Sequence, residues 1–186
     1  MQQHRLYFAA ARTRAEAAAT AAERHGALAR RLPRLVRYVQ NRPLLPAPFA
    51  LCSETWFADR DEERAAFASD YYRHVVRPDE HASFDPALSW NAAVAATHVP
   101  RPGPRAAFRL LTLREGPLRG APAAVTREEQ LVLARPFRGT DHRVVTSWWC
   151  EEIEPLAAAA DIATGIVMVC RTHLVPAPGD ALATAA

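Results

Sequence analysis

Apolar positions in the first hundred residues fall into short blocks divided by polar stretches, and the spacing inside each block predicts its element. Arg5 to Ala11 (RLYFAAA) is an apolar run without helix caps and reads as a strand. Thr13 with Glu16 three residues on is the pairing in which each side chain satisfies a free N–H of a first helical turn. The helix it opens crosses an Ala-rich stretch to about His25 and Gly26, can continue as ALARRL, and must stop before Pro33. Leu35 to Asn41, rich in β-branched and aromatic residues, is a second strand, followed by a Pro-rich loop. Phe49 to Phe57 is a third, with Cys52, Glu54 and Trp56 on one side and Ser53, Thr55 and Phe57 on the other. Asp59, with Glu62 three residues on, caps a second helix that frays before Pro78, which leaves Asp79 in a loop. Ser89 to Val99 is strand again, and the order βαββαβ is the ferredoxin-like pattern.

Pro100 to Pro104 is a linker of turn chemistry. Beyond it Ala107 to Arg114 reads as a strand, and the crossover Glu115 to Arg127 carries turn formers where a periodic helix would stand. Gln130 to Phe137 and His142 to Cys150 form a hairpin around Arg138 to Asp141, followed by a short helix at Pro155 to Ala160 and a strand at Gly165 to Leu174. Thr97-His98-Val99-Pro100 ends the first half, and Thr172-His173-Leu174-Val175-Pro176 ends the second with one residue inserted, a weak repeat that suggests duplication. The pattern predicts an α+β protein of two ferredoxin-like βαββαβ halves, residues 1–100 and a degenerate 104–178, with a disordered tail at 179–186.

Composition narrows the function classes. Of 186 residues 49% are hydrophobic and 23% charged, enough for a buried core. No apolar run approaches the roughly 18 residues of a membrane span, and no signal peptide precedes the first strand, so a cytoplasmic protein is expected. All 23 basic residues are Arg, a mark of GC-rich coding, and the net charge of +3 with interspersed acids implies no nucleic-acid partner. Cys52, Cys150 and Cys170 are odd in number, widely spaced and set in apolar segments, as small core residues are. Gly-rich phosphate loops, HExxH, GxSxG and CxxC are absent, which disfavours nucleotide, zinc-protease, hydrolase-elbow and thioredoxin chemistries.

Four stretches in order carry a family resemblance: Glu23 to Ala29 (ERHGALA), Leu32 to Asn41 (LPRLVRYVQN), Glu54 to Asp59 (ETWFAD) and Asp79 to Phe84 (DEHASF). Together they resemble the EthD family of dimeric α+β barrel proteins over about residues 5–100. Ala27 stands where that family often has Pro, and residues 104–178 match no family motif strongly. The resemblance implies a barrel of two ferredoxin-like halves, supplied here as a tandem pseudo-dimer with homodimerisation also open, and a pocket between sheet and helices for a flat apolar ligand. It implies a small aromatic or polyketide-like substrate and proton-transfer chemistry without metal or organic cofactor: a cyclase, dehydratase, decarboxylase or isomerase of secondary metabolism. Rival readings are a cofactor-free monooxygenase of the same fold, which would consume oxygen, and a non-catalytic ligand carrier. No membrane partner is expected.

Family position marks His25, Glu54 and Asp79 as candidate catalytic residues. His25, placed at a helix end, is suited to move protons near neutral pH or to bond free carbonyls there. Glu54 in an apolar cavity would gain proton affinity, or else pair with Arg37 on the neighbouring strand. Acid–base action by His25 and Glu54 as a pair requires that both reach one cavity. Asp79 serves as a functional carboxylate or as a turn cap, and His81 reads as a surface residue. Tyr7, Tyr38, Gln40, Trp56, Trp90 and Trp148 are candidate substrate contacts, though most aromatics at strand spacing are core. A metal between His98 and His173 lacks further ligands.

Overall fold

The computed structural model describes residues 2–12 and 15–175. The Thr13–Glu16 capping pair, the end of the repeat beyond Val175 and the tail at 179–186 lie outside the described residues. The elements are β1 (Gln3–Ala9), α1 (Ala15–Ala29), β2 (Leu35–Pro43), β3 (Leu51–Phe57), α2 (Arg60–Ala68), a π-helical turn (Tyr72–Val76), α3 (Arg77–Ser83), β4 (Trp90–Arg101), β5 (Phe108–Arg114), β6 (Arg127–Leu133), β7 (Val144–Cys150), α4 (Glu154–Ile162) and β8 (Ile166–Val175). The class is α+β with antiparallel pairing wherever a register is defined below. Among the described residues no helix is long and apolar enough to cross a membrane.

The chain forms two compact units, one from Met1–Gln40 and Ala50–Asn91, the other from Asn41–Phe49 and Ala92–His173. In the first unit β1 and β3 run antiparallel with Leu6 opposite Glu54 and Ala9 opposite Leu51, and β3 lies next to β2. Side chains alternate across a strand, so each strand presents two different faces. Ala9 and Leu51 pack with Ala22 of α1, Phe84 and Tyr7, while Tyr38 and Phe57 pack with Ala29, Leu32, Ala66 and Val76. That face carries the helices; Leu6, Phe8, Cys52, Glu54 and Trp56 belong to the other.

Asp59 caps α2 as expected, its carboxylate accepting from the Asp61 and Glu62 amides. The helix ends sooner than expected, at Ala68 with Ser69 extended, and a separate helical run then leads through Pro78. A proline supplies no N–H to the carbonyl four residues back and crowds it, and here the chain widens into the π turn, with the Arg77 amide bonding the Tyr72 carbonyl five residues back. Pro78 then occupies the first turn of α3, where its missing N–H costs nothing. Asp79 therefore stands on a helix rather than in the expected loop.

α1 takes the longer of the expected courses, running through Gly26 to Ala29 and stopping before Pro33. The reason lies in β2. A methyl group on Gly26 would fall 2.7 Å from the Gln40 amide, and that buried amide is pinned, donating to the Ala22 carbonyl at 2.9 Å and the Tyr38 hydroxyl at 3.1 Å. Glycine weakens a helix by about 1 kcal/mol, a cost that close packing of α1 on β2 offsets.

The second unit has the strand order β8, β5, β7, β6, β4. Its first four strands keep the ferredoxin-like order, with no helix in the crossover between β5 and β6. α4 covers β5, β7 and β8 through Leu156 and Ala159 against Leu110, Trp148 and Val169. At its centre the fully buried Arg109 donates to Asn41 Oδ1 at 3.2 Å and Ser147 Oγ at 2.7 Å, with its guanidinium 4.5 Å from the Trp149 ring. Glu129 bonds Arg105 and Arg127 nearby. Burial would raise its carboxyl, but the charges of Arg109, Arg105 and Arg127 outweigh this and hold it below its ordinary value. Cys52, Cys150 and Cys170 are buried and form no disulfide.

Gly26→Ala should destabilise the protein by about 1–3 kcal/mol in urea unfolding, despite alanine's better helix propensity, because the added methyl displaces a buried, doubly bonded amide. In a Gln40→Ala background the same substitution should lose that cost. A stabilising Gly26→Ala in the native background would show that the amide yields freely.

Candidate active site

His25 sits on the α1 face turned to α3 and is 2% exposed. Its Nδ1 lies 3.1 Å from Asp79 Oδ2, and its Nε2 lies 3.9 Å from Glu80 Oε1. Asp79 Oδ1 accepts from Arg24 Nε at 2.6 Å, while Arg24 Nη2 donates to Ser83 Oγ at 2.9 Å. On the other side of the imidazole the Tyr72 hydroxyl donates to Glu80 Oε2 at 3.1 Å. Phe84 meets His25 edge-on at 5.4 Å and Tyr7 edge-on at 6.4 Å. The pieces arrive by helical spacing: Arg24 and His25 are neighbours on α1, Asp79 and Glu80 on α3, and the π turn sets Tyr72 eight residues before Glu80.

The two carboxyls beside His25 are pushed in opposite directions. The hydrogen bond from His25, reinforced by Arg24, holds Asp79 below the ordinary carboxylate value against the effect of burial. An ionised carboxylate only accepts, so Nδ1 carries the proton toward Asp79 and Nε2 is the nitrogen left to exchange one. Burial pushes Glu80 up, although His25 and the Tyr72 hydroxyl partly counter it. Burial also raises Tyr7, which Ser89 partly offsets, and raises Tyr72, with the Glu80 charge adding to the shift. A fixed acceptor, an imidazole and a second carboxyl of raised proton affinity form an arrangement that can take up, hold and return a proton.

Of the residues expected from sequence, His25 and Asp79 are brought together. Tyr7, Tyr38 and Gln40 lie on the same helix-covered side of the sheet. Glu54 is not brought to them. It is 2% exposed and lies on the opposite face, its Oε2 3.1 Å from His4 Nε2. His4 stacks on Trp56 at 4.1 Å, and the Arg37 guanidinium sits 4.8 Å from the same ring. The expected pairing of His25 with Glu54 does not occur, because strand alternation separates them by the thickness of the sheet. Trp90 packs against Phe8, also away from the helices, and Trp148 belongs to the second unit. His81 is exposed. No group of three or more metal-ligating side chains occurs among the described residues.

Arg24, Tyr72, Glu80 and His4 were not singled out from sequence. Glu80 and Arg24 carry a retrospective signal: each adjoins a candidate, so each follows it to the same helix face. Tyr72 carries none, since its reach depends on the π turn.

A small α+β protein with a buried histidine held between two helix-borne carboxylates is the class that fold and site define. Residues 11–87 match the family model of the EthD domain. No curated protein matches the chain in sequence. Among solved structures, an anthrone oxidase-like protein aligns over 100% of this chain and 96% of its own, with a TM-score of 0.66 at 12% identity. A candidate monooxygenase of Fusobacterium nucleatum aligns over 95% and 96%, with a TM-score of 0.57 at 6% identity. At such identities the likeness establishes the fold.

The opposed carboxyls predict opposed pH effects. Asp79, held low, contributes stability that is present above the unfolded value near 3.9 and is lost as pH falls through the lower folded value. Glu80, held high, costs stability as pH rises from its unfolded value near 4.3 through its folded one. Unfolding between pH 3 and 7.5 should therefore show the cost of Asp79→Asn shrinking toward acid, and Glu80→Gln gaining relative to wild type as pH rises. Parallel curves for all three proteins would sink this charge assignment.

Proposed function

We propose that the EthD domain holds a cofactor-independent catalytic site that moves a proton on a flat aromatic or polyketide-like substrate, with His25 as the proton carrier. The observation that carries this reading is the His25 imidazole, buried, with Nδ1 fixed by an Asp79 that is itself fixed by Arg24, and Nε2 turned toward the Glu80 carboxyl. Asp79 orients the ring and stabilises its charged form; Glu80 with Tyr72 returns the proton. Tyr7, Tyr38 and Gln40 supply contact area and hydrogen bonds on the same side of the sheet. Glu54 with His4 is kept as a second buried proton-binding pair, and Trp56, Trp90 and Trp148 as further contacts.

Cyclisation, dehydration and isomerisation of such substrates pass through removal of an acidic C–H or O–H proton, and decarboxylation ends with delivery of one to the carbon that loses carbon dioxide. The likeness to an anthrone oxidase-like protein and a candidate monooxygenase favours a second reading that shares this step. The carbanion left by deprotonation would react with oxygen: a methylene would lose two hydrogens and gain one oxygen atom, the other leaving as water. The two readings differ in oxygen uptake. The duplicated strand pattern further supports a tandem pseudo-dimer within one chain of 20.5 kDa, with homodimers of such chains also open to light scattering; an experimental structure with an unrelated fold for residues 104–178 would overturn it.

Anthrone and related phenolic tricycles, followed in deuterated buffer with an oxygen electrode, test the site. Turnover above the buffer rate should fall about 100-fold or more in His25→Asn and less in Glu80→Gln, with both variants folded and binding nearly unchanged. Deuterium incorporation without oxygen uptake supports proton transfer alone, and stoichiometric uptake supports the oxygenase. Binding without either makes the protein a carrier and ends the catalytic reading, as would full activity in His25→Asn.

A further inference from the structure

The second unit carries a groove of its own, about 740 Å³, between α4 and the helix-free crossover that follows β5. That volume lies within the roughly 300–1,000 Å³ typical of small-molecule sites. Its walls are apolar, formed by residues such as Leu118, Pro155 and Ile162, the last 84% exposed and so without protein cover over most of its surface. Two guanidiniums, Arg114 and Arg119, line it; no carboxylate does. Neither guanidinium has an ion-pair partner among the described residues, and the acids nearest in sequence, Glu115, Glu154 and Asp161, are not part of the lining.

A third polar group points the same way. The Trp148 ring lines the groove and is 2% exposed, yet its indole N–H has no acceptor among the described residues. Buried donors are almost always paired, and leaving one unmade costs free energy. Two unneutralised cations and a buried donor beside apolar walls ask for a ligand that brings acceptors, negative charge and an apolar body together.

We propose that this groove binds an aromatic organic acid, its ring against Leu118, Pro155 and Ile162, and its carboxylate held by Arg114 and Arg119. The Trp148 N–H donates to the bound carboxylate. This site is separate from the His25 cluster and contains no group that would transfer protons, so it acts by binding alone.

The test uses 2-naphthoate and its uncharged counterpart 2-naphthamide, followed by calorimetry and by the indole N–H resonances of the full chain, with Trp148 identified from the spectrum of Trp148→Phe. Naphthoate should bind about tenfold or more tighter than the amide and move the Trp148 resonance, and Arg114→Gln/Arg119→Gln should weaken it by about tenfold or more. Arg119 is exposed, so Arg119→Gln alone keeps the core intact and should also weaken binding measurably. His25→Asn should bind naphthoate as wild type does, whatever becomes of its activity. Equal affinity for acid and amide, unchanged affinity in the arginine variants, a motionless Trp148 resonance at saturation, or no binding at millimolar naphthoate would each overturn the proposal.

Discussion

The seat of α1 on β2 governs the arrangement of the first unit. A helix that rests a glycine against a buried amide is held both in height and in rotation, because turning it by one residue, about 100°, would put a side chain where Gly26 now fits. His25 is the next residue back along the chain, so its direction follows from that contact and not from its own hydrogen bonds. Asp79 and Glu80 meet an imidazole already in place. The effect is preorganisation: the histidine need not be moved before it can exchange a proton.

Around this seat the ionisable groups divide by sheet face. Arg24, His25, Asp79, Glu80, Tyr72 and Tyr7 share the helical side, and His4, Glu54 and Trp56 share the other. Each set contains an imidazole next to a carboxylate, yet their surroundings differ. In the first, one arginine and a tyrosine leave two carboxyls with contrasting proton affinity. In the second, His4 and Arg37 are both laid on Trp56. Burying an ion pair costs desolvation that only good geometry repays, so two such clusters within one small unit are difficult to attribute to stability alone.

Much of the fold was legible because the strands are short and their composition contrasts with the loops. The Asp59 cap, the helix-free crossover and the alternation that gives Glu54 and Trp56 a common face all follow from local rules. What local rules did not reach is instructive. The stop of α2 at Ala68 and the new helical run through Pro78 depend on a bend at Ser69 and a π turn that no periodicity announces, and with them goes the placing of Asp79 on α3. The end of α1 was left open between Gly26 and Pro33 because Gly26 is a poor helix residue whose justification, Gln40, lies fourteen residues on and on another element. Within the site, the motif residues His25 and Asp79 could be named from sequence, but the face on which Glu54 stands relative to His25 could not, since it requires knowing which side of the sheet the helices cover.

Arg109 ties the end of β2 to the middle of the second unit. Its bond to Asn41 spans 68 positions of chain, and Thr172 reaches the same Asn41 oxygen across 131. An arginine at the middle of a strand cannot be left dry and unpaired without a cost of several kcal/mol, so β5 has no comfortable resting state until Asn41 is beside it. On the ribosome, the segment containing Asn41 emerges long before β5 or β8 exists, and it must wait, part of no finished structure, for the C-terminal strands to be made. Closing such long loops is slow. Assembly of the second unit is thus timed by the last strand synthesised, and a chain cut at the proline linker would strand Asn41 on one fragment and Arg109 and Thr172 on the other.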